Sequence, residues 1–173
     1  MTSMAEKYDI DKTVLVKVMN GFINALINGL DQMAMVKAKR VDIYLKKPNE
    51  LMRGDISSMV SVFGDLQGTC VISFPKKTAI FIVQKLMMDD TIDDVNEDVQ
   101  DGIGEVANLT AGAAKGTLSS ELGTNSSISL PSVITGIGHH IEHDRKVPCI
   151  GCVFELEGLQ FTMEIAIAVN KKK

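Results

Sequence analysis

Glu105 and Asn108 lie three residues apart within Asp94 to Leu122, DVNEDVQDGIGEVANLTAGAAKGTLSSEL. That stretch has the pattern of one long helix, on which side chains three apart are neighbours on one face. The pair presents one negative charge and one carboxamide that both donates and accepts hydrogen bonds. At about 100° per residue, Val99, Ile103, Ala107, Thr110, Ala114 and Leu118 fall on the inward side. Asp98, Asp101, Glu105, Asn108, Gly112 and Lys115 fall on the outward side. On pattern alone, an outward Glu and Asn are what a solvated helix face looks like. The helix also carries Gly102, Gly104, Gly112 and Gly116. Each costs about 1 kcal/mol relative to alanine in a helix interior, which points to close packing or close approach. Gly112 lies one turn beyond Asn108 on the same stripe, where a missing side chain would let another molecule come near.

The elements that must position this pair follow from the punctuation around it. Asp94 is predicted as N-cap with Glu97 three residues on, a capping box, and Gly123 as the residue that ends the helix. Met1 to Ile10 is predicted as a loose start. Asp11 then caps a first helix running to about Ala34, with Val14, Val18, Phe22, Leu26, Leu30 and Met33 at helical spacing. Asn20, Asn24 and Asn28 form a second row along it. Val41 to Lys47 alternates as a strand does, and Pro48 stops it. Ile56 to Phe63 and Thr69 to Phe74 are predicted strands around a Gly64 to Gly68 turn. Pro75 opens a second helix to about Met88, and Asp89 to Asp94 is an acidic connector. Ser127 to Thr135 is a strand interrupted by Pro131, and Gly136 to Arg145 is a loop. Val147 to Glu157 and Leu159 to Val169 make a hairpin around Gly158.

The order repeats: helix, strand, hairpin; a linking helix; then helix, strand, hairpin again. The expected fold is a mixed α/β (α+β) single domain over residues 1–173, with two α-β-β-β halves around a six-stranded sheet and long helices packed on it. In the first half Asn24 matches Asn108, but Gly21 stands where Glu105 would and Lys17 where Asp101 would. The first helix is therefore a degenerate half-site with no catalytic assignment.

Asp101-x-x-x-Glu105-x-x-Asn108, followed after a 22-residue spacer by Pro131, resembles the active-site signature of the CheC/CheX/FliY phosphatases of bacterial chemotaxis. GEVANLTAGAAKGTL looks like that family's helix, and SLPSVITG like its proline-bearing strand. The likeness runs from FINALINGLDQM through GDLQGTCVISF to the end of the chain. The length, and one complete motif rather than two, make CheX-like the fitting label. The resemblance implies hydrolysis of the aspartyl phosphate of a phosphorylated CheY-type response regulator. The regulator supplies the aspartate and a bound Mg²⁺, and the chain binds no cofactor of its own. Asn108 is implied to orient the attacking water and Glu105 to pair with a lysine of the regulator's active site. Asp101 then helps define the docking surface, Leu109 at the edge of the outward face meets the partner, and Pro131 shapes the adjacent strand. A non-catalytic module that only docks on the regulator is the alternative, and a structural part of the flagellar switch is a third class. The resemblance further implies a homodimer formed through a sheet edge, for which the apolar Phe161 to Val169 is the candidate.

Bulk properties bound the rest. The net charge is −4, from 18 basic and 22 acidic residues, with no basic tract beyond Lys171 to Lys173, which argues against nucleic acid. Neither a signal peptide nor about 18 successive apolar residues is apparent, so a cytoplasmic chain without a membrane span is expected. Three cysteines make no disulfide framework. Cys149-Ile-Gly-Cys152, with His139, His140 and His143 upstream, raises zinc. Positions three apart in a strand face opposite sides, however, so no metal is expected there.

Overall fold

The repeated pattern folds with an internal two-fold likeness. The structure, a computed structural model, describes residues 11–169, so the readings of Met1 to Ile10 and of Lys171 to Lys173 lie outside the described residues. In chain order the elements are α1 (Lys12–Ala34), β1 (Lys39–Leu45), β2 (Ile56–Gly64), β3 (Leu66–Phe74) and α2 (Lys76–Met87). The second half follows as α3 (Glu97–Leu122), β4 (Ser126–Ile128), β5 (Ser132–Thr135), β6 (Ile150–Leu156) and β7 (Leu159–Val169). All pairings are antiparallel, in the order β1-β6-β7-β3-β2, with both β4 and β5 on the outer side of β2. The seven strands thus fill six positions, because β4 and β5 are two pieces of one strand broken at Ser129 to Pro131.

The first strand of each half crosses to the other half's hairpin. β1 pairs with β6, and β4 and β5 pair with β2. Each crossing strand also loses regularity at an equivalent place. β1 slips register between Arg40 and Asp42, opposite Phe154 and Val153. The second-half strand breaks just before Ser132, which sits opposite Met59.

This topology corrects the expected edge. β7 lies between β6 and β3, and Phe161 to Ile167 are all buried. An interior strand and an apolar edge strand have the same composition, and only the crossing of the first strands decides between them. The free edges are β1 on one side and β4–β5 on the other.

The helices lie on one face of the sheet. Val18, Phe22, Leu26 and Leu30 of α1 and Val99, Ile103, Ala107, Ala114 and Leu118 of α3 enter the main core. Phe161 stacks between Phe74 and Phe154, at centroid distances of 5.0 and 5.2 Å. By length and a mean hydropathy of 1.3, α1 meets the composition of a membrane span, contrary to the sequence reading. Its apolar side is nonetheless buried in this core while Asn20, Asn24 and Asn28 are exposed, as on the core helix of a globular domain. The sheet's other face is covered by residues 136–149, with Ile141 packed against Met52 and Val71.

Two local expectations change. Asn96, not Asp94, caps α3: its side chain accepts from Val99 N at 3.0 Å. Asp94 is drawn instead to Lys76 at the start of α2, 2.6 Å away. Gly68 is not a turn residue. It sits inside β3 as the last residue paired to β2, opposite Val62, at φ +146°, where a Cβ would run into the Ala166 carbonyl oxygen of β7.

Gly102 accounts for one of the helix glycines. A Cβ there would lie 2.8 Å from Val83 Cγ2 of α2, a stiff β-branched side chain that is fully buried. Gly102→Ala is therefore expected to lower stability by about 1–3 kcal/mol despite alanine's better helix propensity. Thermal or urea denaturation checks this, and a gain in stability would contradict it.

Candidate active site

α3 holds its predicted inward side chains in the core and turns Asp98, Asp101 and Glu105 to solvent. Asn108 is half-buried one turn beyond Glu105. Asn108 Nδ2 donates to Glu105 Oε2 at 3.5 Å, a long contact that leaves both groups able to take other partners. Leu109, 42% exposed, lies on the α1 side. It lines a groove of about 380 Å³ between α1 and α3, together with Asn20, Asn24, Asn28, Ala113 and Thr117.

The glycines locate Asn108 against the sheet. A Cβ on Gly104 would meet Val133 Cγ2 at 3.4 Å and Pro131 Cγ at 3.8 Å, and one on Gly112 would be 4.0 Å from Ile128 Cδ1. These glycines stand one turn before and one turn after Asn108. Asn108 is therefore level with the break between β4 and β5, and Pro131 supports the helix just below it. Close approach at Gly104 and Gly112 is thus partly to the chain's own edge strand. Gly116 faces open space.

The first-half counterpart is incomplete in structure as well as in sequence. Asn24 is exposed in the groove, but Gly21 is buried, and a Cβ on it would come within 3.2 Å of Leu118 Cγ. A glutamate at Gly21 would have to displace that core leucine.

A second polar cluster lies on the opposite face of the sheet. Glu164 of β7, 1% exposed, accepts from Lys46 Nζ at 2.6 Å and from Tyr44 Oη at 3.1 Å. His143 Nε2 is 3.2 Å away, and Thr69 Oγ1 holds its Nδ1 at 2.7 Å. Burial alone would raise the Glu164 pKa. Hydrogen bonds from His143 and Lys46, with their charges, outweigh it and hold the carboxyl below the usual range. Burial, together with the Glu164 charge, also raises Tyr44. The cluster ties the β1 end and the covering loop to the centre of the sheet.

His143 lies in the loop predicted for Gly136 to Arg145, but its side chain is turned inward and only 5% exposed. The available signal was Glu164 itself, the lone charge in an apolar strand, which demands a buried partner. His139 bonds Ser57 Oγ at 2.7 Å and the Gly136 carbonyl at 2.6 Å, while His140 is exposed. His143, Cys149 and Glu164 bring one ligand atom each within 4.8 Å of one another, a donor set zinc accepts. Lys46 already supplies the cation, however. Burial, then the Glu164 charge, pushes the Cys149 thiol up to about 12. A divalent ion would have to displace both the ammonium and that proton. Cys152 points the other way, into the main core, and burial pushes it up to about 11, so the two cysteines do not act as a pair.

The chemotaxis phosphatase CheX family matches residues 56–155, which include all of α3 and the β4–β5 break. This chain belongs to the CheX family. The CheX chemotaxis protein of Desulfovibrio desulfuricans is similar at 35% identity and a TM-score of 0.78, over 88% of this chain and 99% of that one. The CheY-P phosphatase CheX of Thermotoga maritima is 27% identical over 107 residues, 62% of this chain and 64% of that relative. The alignment thus spans just under two thirds of that curated relative. A Borrelia burgdorferi structure of CheX in complex with CheY, BeF₃ and Mg²⁺ is 25% identical, with a TM-score of 0.72 over 87% of this chain and 97% of that one.

Proposed function

We propose that this CheX-family chain hydrolyses the aspartyl phosphate of a CheY-type response regulator by inserting Glu105 and Asn108 into the regulator's active site. The carrying observation is that a carboxylate and a carboxamide project together from the accessible face of α3, within the region that matches the family. The names of the Thermotoga relative and of the Borrelia complex support the same substrate class.

Water must attack phosphorus in line with the departing carboxylate, and such transfer needs positioning and charge neutralisation more than covalent chemistry. A carboxamide suits this, since it holds a water by its oxygen and contacts a phosphoryl oxygen by its N–H groups. It removes no proton. Glu105 gives a cationic side chain of the regulator a charge-assisted partner, which aligns the two proteins. The regulator's Mg²⁺ neutralises phosphoryl charge when bound. Asp101, one turn before Glu105, extends the negative docking surface, and Gly112 and Leu109 border it. A regulator substrate places the activity in the cytoplasm.

The reading is tested with Glu105→Ala and Glu105→Gln against a phosphorylated regulator. Both are expected to weaken docking and slow hydrolysis, Gln less than Ala, in assays of binding and of phosphate release. Undiminished hydrolysis by Glu105→Ala would remove the alignment role.

The same proposal includes a homodimer, now through β1. Its Val41, Ile43 and Leu45 are 44%, 51% and 46% exposed beside an unpaired backbone edge. The opposite edge is broken at Pro131, which offers no N–H to a partner strand. Ile43→Lys is expected to convert a dimer to a monomer in analytical ultracentrifugation. A monomeric wild type would end this part of the reading.

A further inference from the structure

Leu130 stands at the break between β4 and β5, and 86% of it is exposed. A single exposed leucine is ordinary, and the way this one is held is what distinguishes it. The break is stitched by its neighbour. Ser129 N donates to the Ser61 carbonyl at 2.9 Å, Ser61 N donates to Ser129 Oγ at 3.0 Å, and Ser129 Oγ donates to the Leu130 carbonyl at 2.8 Å. The N–H and C=O of Ser61, the N–H of Ser129 and the carbonyl of Leu130 are thereby satisfied at the break. Directly after Leu130, Pro131 packs toward α3 at Gly104. Leu130 is thus fixed outward from an ordered notch, beside the turn of α3 that carries Asn108. On the other flank stands Leu109. The polar pair Glu105–Asn108 lies between two exposed leucines.

We propose that Leu130 is an apolar anchor for the phosphorylated response regulator, one that sets affinity and leaves the chemical step unchanged. This rests on the reading of Glu105 and Asn108 as the phosphatase site. The occupant follows from continuity. A protein that brings a phosphoryl group within hydrogen-bond reach of Asn108 must cover the residues level with it, and those are Ser129 to Pro131. The most exposed side chain there is Leu130, at 86%, so the partner's surface opposite it has to be apolar. Burying that leucine also closes the strand side of the site to bulk water. Truncating a buried leucine anchor weakens binding by about 10- to 100-fold.

The test uses the full chain with a CheY-type regulator phosphorylated by acetyl phosphate. Leu130→Ser, Leu130→Met and Asn108→Ala are compared with wild type for Kd, KM and kcat. Leu130→Ser is expected to raise Kd and KM by about 10- to 100-fold with kcat within twofold, and Leu130→Met to restore most of the affinity. Because Leu130 lies outside the core, the thermal midpoint should stay put. Unchanged Kd and KM for Leu130→Ser, with Asn108→Ala inactive, would overturn the anchor and leave the phosphatase reading standing. A fall in kcat at unchanged KM would also overturn it, by making Leu130 part of the alignment of the reacting groups. Full activity in Asn108→Ala would instead overturn the reading on which the anchor rests.

Discussion

Asn108→Ala is expected to slow hydrolysis of the regulator's acyl phosphate by about 10²- to 10³-fold, roughly 3–4 kcal/mol, the loss typical of one preorganised hydrogen-bonding group. Docking should change by no more than a few-fold, because the half-buried amide offers little area and Glu105 remains. The fold should tolerate the change, since Asn108 is not among the buried core residues and alanine is the better helix former. A kcat effect with KM preserved is the signature of a group that acts only in the transition state. Asn108→Asp is a sharper companion. It keeps size and an acceptor, removes the N–H donors, and adds a negative charge toward an anionic phosphoryl group. It should be at least as impaired as the alanine variant.

Glu164→Ala carries the second large effect, on stability. Glu164 and Lys46 are 1% and 5% exposed, and Tyr44 and His143 converge on the same carboxylate. Removing the carboxylate leaves a buried ammonium without its counter-charge, which costs about 3–5 kcal/mol. Urea denaturation at neutral pH measures it. The pH dependence follows from the direction of the Glu164 shift. Its carboxyl is held below the ordinary value of 4.5, so its contribution is present above that value and is lost as pH falls through the folded pKa. Wild type should therefore lose stability below about pH 4.5 more steeply than Glu164→Ala. Parallel acid limbs in the two proteins would contradict the arrangement. Where Glu164→Ala remains folded, hydrolysis should be close to normal, because Glu164 lies on the sheet face away from α3.

Much of this was legible in the sequence, for definite reasons. The inward row Val99 to Leu118 is set by the helical period, which a 26-residue helix repeats often enough to be unambiguous. Pro131 announced the strand break because proline cannot continue a ladder. The cap was misplaced because Asp94 and Asn96 are both cap-competent, and a distant residue, Lys76, claims the aspartate. The last strand has the predicted bounds, and its interior place in the sheet has a topological reason. When the first strand of each half crosses over, the final strand of the chain ends in the middle of the sheet, and no local pattern records this. Gly68 sat within a turn-like run GDLQG, yet its role is to let β7 approach β3. The Glu164 cluster joins β1, β3, β7 and the covering loop, so its members become neighbours only through long-range pairing. Leu130 was invisible because nothing in one sequence distinguishes a held-out leucine from a core one.

The most direct test of the account is the loss of phosphoryl label from a CheY-type regulator with this chain present at one tenth of the regulator's concentration. Complete and accelerated loss is expected, with many turnovers per chain, and no such acceleration with Asn108→Ala. Binding to the phosphorylated regulator without acceleration by wild type would contradict it, and would make the chain a docking module of the same fold.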